Sequence, residues 1–116
     1  MRRTLSRRSR ELLRQAIKDL EVGCYDKAVS AAYFAVRRAA EDLLKRLGEH
    51  IPRRDDKLAN AIENKGLTEV AVILRILYSY RKDADYGEGV TEEIALRCVR
   101  DAEKALNMIA KMIETL

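Results

Sequence analysis

A chain of 116 residues carries 23 lysines and arginines against 19 aspartates and glutamates, a formal net charge of +4. That length supports one hydrophobic core, and so mild a basic surplus permits contact with nucleic acid without requiring it. One proline and few aromatics, against abundant Ala, Leu, Ile, Arg, Lys and Glu, match packed helices. No apolar run is long enough to cross a bilayer, and no signal core follows the arginine-rich start, so a cytoplasmic protein without membrane contact is expected.

Residues 1–10 form a basic segment leading into a first helix that should begin near Thr4 or Ser6. Leu5, Leu12, Leu13, Ala16, Ile17 and Leu20 recur at helical spacing, and Gly23 supplies the stop. Arg3, Arg7, Arg10 and Arg14 follow one another at three- and four-residue steps and so share the opposite face. Such a stripe either tracks phosphates or is a solvated surface.

The second helix should start near Asp26, a good N-cap, and run to Leu47 before Gly48. Its first half, Ala28 to Val36, is apolar on nearly every side, the pattern of a central helix touched by several neighbours. Small residues at Ala28, Ala31, Ala32, Ala35 and Ala39 allow close approach. Beyond Arg37 the pattern becomes one-sided, with Ala40, Leu43, Leu44 and Leu47 facing inward.

Residues 49–64 are the polar connection, broken by Pro52, with Asp55 or Asp56 placed to cap a short helix holding Leu58, Ala61 and Ile62. The single histidine, His50, lies in this connection with no ligand or catalytic partner at useful spacing. After Gly66, Thr68 opens a helix whose buried face is Val70, Ile73, Leu74, Leu77 and Tyr78, and Arg81 continues that face to the edge of the interior. Thr91 caps the last helix, with Glu92 and Glu93 in its first turn and an apolar stripe running to Ile113. Cys24 and Cys98 fall on different helices and are expected to be buried free thiols. The chain, 1–116, therefore reads as one all-α domain: an antiparallel four-helix up-down bundle with one short additional helix.

Several chemistries are missing. No glycine-rich phosphate loop, serine or cysteine triad, or Glu-x-x-His pattern of a bundle di-metal site is present, so neither metal nor cofactor is called for. What remains is Arg81-Lys82-Asp83-Ala84-Asp85-Tyr86, at the end of the fourth helix before Gly87. Helix C-termini favour cations, so Asp83 and Asp85 break a local rule there, and such breaks collect at functional sites.

The alanine- and tyrosine-rich helix Ser30-Ala31-Ala32-Tyr33-Phe34-Ala35-Val36-Arg37-Arg38-Ala39-Ala40, its spacing, and a later helix ending in Arg81-x-x-Ala84-Asp85-Tyr86-Gly87 together resemble the HEPN domain family of small prokaryotic helical proteins. The resemblance runs from about Leu12 to Ile113. It implies a helical bundle that forms a homodimer, binds nucleotides or RNA, and often acts with a minimal nucleotidyltransferase in toxin–antitoxin or regulatory pairs. Many relatives are ribonucleases whose signature is an arginine followed, after four to six residues, by a histidine. Here Arg81 matches the arginine, and Tyr86 stands after four intervening residues.

The loss of the histidine matters, because 2′-hydroxyl attack needs a base of near-neutral pKa and a cation on the phosphate. A nucleotide- or RNA-binding role follows more directly, with Arg81 on a phosphate, Asp85 orienting it, Tyr86 stacking or accepting nucleotide from the partner enzyme, and Lys82 and Tyr33 nearby. Tyr80 is expected to line the same pocket as Tyr33. The alternatives are a metal-independent endoribonuclease using Arg81 with Asp85 and Tyr86, and a non-catalytic dimerisation module.

Overall fold

The computed structural model describes residues 5–116. Five α-helices follow in order: α1 Arg7–Glu21, α2 Tyr25–Arg46, α3 Asp55–Asn64, α4 Thr68–Tyr86 and α5 Glu92–Glu114, with no strand among the described residues. Ser6 caps α1, its hydroxyl accepting the Ser9 N–H at 3.2 Å, and Thr91 caps α5 in the same way through Ile94. Thr4 and Arg3, named above as a helix start and part of a basic stripe, lie outside the described residues. The rest of that stripe, Arg7, Arg10 and Arg14, is exposed.

Two expected caps are not caps. Cys24 holds the N-cap position of α2 without a side-chain hydrogen bond, and Asp26 sits inside the first turn. The Asp26 carboxylate instead accepts the backbone N–H of Val90 at 2.9 Å, tying the start of α2 to the loop after α4. Likewise Arg54 precedes α3, and Asp55 and Asp56 lie in its first turn, where anions are still favourable. Asp26 and Asp55 instead take partners distant in sequence, which a local capping rule does not consider.

Helix α2 occupies the centre, packing against α1, α4 and α5 and more lightly against α3. Tyr33, Val36, Leu43 and Leu44 are among its fully buried side chains. Each such burial stabilises the fold by roughly 1.5–3 kcal/mol. Helix α5 touches α1, α2 and α4, while α1 and α4 make no contact with each other. One strip of α2, holding Ser30, Phe34, Arg37, Arg38 and Glu41, is consequently left only partly covered.

The thiols differ from expectation. Cys98 is buried in α5, and burial, with Asp101 adding to it, pushes its pKa up to about 12, so it is an inert core group. Cys24 is exposed, because the turn between α1 and α2 lifts it off the core. No helix among the described residues is long and apolar enough to cross a membrane.

Candidate functional site

Helix α4 continues past its core residues for about two further turns, and those turns carry Arg81 over the central helix. The Arg81 guanidinium lies 4.8 Å from the Phe34 ring centroid and 5.2 Å from that of Tyr33. Its Nε is 3.2 Å from Asp85 Oδ2, one helical turn on. Charge attraction operates at that separation, but the N–H is not aimed at the oxygen, and the buried Nε has no hydrogen-bond partner. The Arg81 guanidinium therefore donates no hydrogen bond among the described residues. A half-buried guanidinium steered by two rings and a carboxylate, its terminal nitrogens without a hydrogen bond, is arranged to receive an anion.

Asp85 is held from both sides. Its Oδ1 accepts the Ser30 hydroxyl of α2 at 3.0 Å, while Oδ2 faces Arg81. Ser30 is a site residue that sequence reasoning missed, although it is the one polar residue in the run from Ala28 to Val36. Gly87 and Gly89 end the helix. A Cβ on Gly87 would stand 2.9 Å from the Asp83 carbonyl oxygen, and Gly89 takes φ +94°, with Asp26 oxygens 3.2 and 3.3 Å from where its Cβ would be. Only glycine fits there without strain. The Asp26–Val90 hydrogen bond then anchors the turn to α2.

A second residue missed in the sequence is Asp55. Its Oδ1 meets Arg37 Nη1 at 2.6 Å. Burial raises the Asp55 carboxyl above its ordinary value, against the pull of the nearby Arg81 and, more weakly, Lys82. Asp55 of α3 is thus held by Arg37 and feels the charge of Arg81, which pairs with Asp85 of its own helix.

Other expected site residues are placed differently. Lys82 is exposed, its Nζ 4.8 Å above the Tyr78 ring. Asp83 contributes only its carbonyl, to Gly87 and Gly89. Tyr33 is 1 % exposed and serves as the floor beneath Arg81, not as an open ligand contact. Tyr80 does not join it; it lines a separate cleft with Glu93, Ile94 and Arg97 of α5. Tyr86 is 83 % exposed and makes no ring contact or hydrogen bond among the described residues. So the guanidinium and carboxylate converge, and the phenol stands apart from them within one chain.

The sequence matches the HEPN domain family over residues 3–113. This protein belongs to the HEPN domain family. It is also similar to a UPF0332 protein of Archaeoglobus fulgidus, 29 % identical over 120 residues, covering 90 % of this chain and 92 % of the relative. Membership places the chain in a family associated with nucleotides and RNA. In this HEPN protein four residues separate Arg81 from the exposed Tyr86. No group of three or more His, Cys, Asp or Glu side chains suited to a metal ion occurs among the described residues.

Proposed function

We propose that this HEPN protein binds the phosphate of a nucleotide or RNA at Arg81 and acts without cleaving it. The observation that carries this reading is the Arg81 guanidinium, oriented by Phe34, Tyr33 and Asp85 yet donating no hydrogen bond among the described residues. Lys82 adds a second exposed cation one residue along, and Tyr86 offers an accessible ring for stacking or a hydroxyl for nucleotide transfer.

In the same reading the four long helices form an antiparallel up-down bundle, two copies pair as a homodimer, and Arg81 opens on the cleft between them. The partner is a minimal nucleotidyltransferase, in a toxin–antitoxin or regulatory pair. Catalysis is disfavoured because Asp85 is bonded to Ser30 and ion-paired with Arg81, and Tyr86 lies away from Arg81 in the single chain.

Incubation with labelled RNA should leave the RNA intact, while nucleotides should raise the melting temperature of the wild type and not of Arg81→Ala. Cleavage that disappears in Arg81→Ala would instead make the protein an endoribonuclease. Equal melting temperatures with and without nucleotide would leave only a dimerisation module. Light scattering at micromolar concentration checks the dimer, and a pull-down that recovers a small nucleotidyltransferase checks the partner.

A further inference from the structure

Phe34 is the only phenylalanine of the chain, and it sits 39 % exposed on an otherwise deeply buried stretch of α2. Arg81 covers one part of its ring. The ring also lines a cleft of about 390 Å³ between α1 and α2, together with Leu12, Arg8, Arg37, Arg38 and Glu41. The arginines of this cleft are not equivalent. Arg37 is fully engaged, with Asp55, Glu41 and two backbone carbonyls. Arg8 is exposed and takes no partner among the described residues. Arg38 is half exposed and pairs with Asp42 by charge at 3.6 Å, too long for a hydrogen bond, so part of its guanidinium still faces solvent. An unpartnered guanidinium and a loosely paired one thus border an exposed ring that also contacts Arg81.

An aromatic face bordered by exposed cations along a groove is the arrangement that holds single-stranded nucleic acid, each base stacking while its phosphates pair with the cations. We infer that the Arg8–Phe34–Arg38 cleft is a second nucleotide subsite, continuous with the Arg81 site across the Phe34 ring, so that the ligand is a single-stranded oligonucleotide and not a mononucleotide. This inference rests on the reading of Arg81 as a phosphate receptor and names the class of ligand that site takes. The arginine stripe singled out in the sequence does not contribute, since Arg8 lies off it.

Fluorescence anisotropy with a labelled octauridylate, alongside competition by uridine monophosphate, tests the inference on the full chain. The octamer should bind at least about tenfold tighter than the monophosphate, and Phe34→Leu should weaken the octamer by about tenfold as one base gives up its stacking surface. The double substitution Arg8→Gln with Arg38→Gln should weaken octamer binding and leave the monophosphate unchanged. It should also make the plot of log affinity against log salt shallower by about 1.4, roughly 0.7 for each phosphate that is no longer neutralised. A far-UV circular dichroism melt of each variant confirms that the bundle is intact. If the double variant binds the octamer like the wild type while Arg81→Ala abolishes binding, the cleft proposal falls and the Arg81 reading stands. If the wild type binds neither ligand, both fall. If Phe34→Leu converts a dimer to a monomer with octamer affinity unchanged, the ring belongs to a subunit interface and the cleft proposal falls.

Discussion

Two arginines flank Tyr33, and they are used in opposite ways. Arg37 donates to Asp55 at 2.6 Å and to the Arg53 carbonyl at 2.9 Å, with longer approaches to the Pro52 carbonyl, the Tyr33 hydroxyl and Glu41. Arg81, over the face of the same ring, donates no hydrogen bond among the described residues. Their exposures are not far apart, 16 % and 27 % for the side chains, so burial alone does not distinguish them. What does is donor saturation. A guanidinium with its donors matched ties the 52–55 connection to α2, whereas one with its donors free is a receptor waiting for an anion.

The sharpest way to break that comparison is to remove each guanidinium in turn. Arg37→Ala leaves the Asp55 carboxylate and the Arg53 carbonyl without their donor, and should cost about 2–3 kcal/mol of unfolding free energy, read from urea denaturation. Arg81→Ala removes no protein hydrogen bond and should change stability by less than about 1 kcal/mol while abolishing nucleotide-induced stabilisation. Equal destabilisation by the two substitutions would erase the distinction.

The helices were largely legible in the sequence, because helical spacing and flanking glycines act over a few residues. The all-round apolar run from Ala28 to Val36 correctly marks a helix with neighbours on several sides. Legibility failed where a side chain chose between a local and a distant partner. Asp26 prefers a backbone N–H 64 positions away, and Asp55 prefers an arginine 18 positions back. The same limit hid Ser30, whose partner Asp85 lies 55 positions along the chain.

Tyr86 is a different case. Five residues of α-helix rotate a side chain by about 140°, whereas four rotate it by about 40°, so Asp85 shares the Arg81 face and Tyr86 does not. Helical periodicity alone separates the two positions. Tyr80 likewise sits about 100° from Arg81 and turns toward α5.

Removing the Ser30 hydroxyl sharpens the comparison on the Arg81 side. Ser30→Ala frees one Asp85 oxygen, which should cost about 0.5–1.5 kcal/mol of stability and let Asp85 approach Arg81 as a directed hydrogen bond. A guanidinium so engaged is a poorer receptor. Nucleotide affinity should fall about two- to fivefold, measured by calorimetry, less than the tenfold that about 1.4 kcal/mol would give. Unchanged affinity would mean that Ser30 merely joins α2 to α4.

The smallest effect expected is the pH dependence set by Asp55, the carboxylate between the two arginines. Burial raises its folded-state pKa above the ordinary 3.8, so just above that pH the folded state holds its proton more often than the unfolded chain. Stability from this group is then present at low pH and declines as pH rises through the folded value. The ion pair with Arg37 pulls the other way, since a paired guanidinium favours the carboxylate. Comparing urea midpoints of wild type and Asp55→Asn across this acidic window separates the two. A negative pH slope that the substitution removes is the expected result, and shows that burial outweighs the Arg37 pair. A positive slope removed by the same change shows that the Arg37 pair dominates, which would make Arg37 the anchored cation and leave Arg81 still freer to bind an external anion.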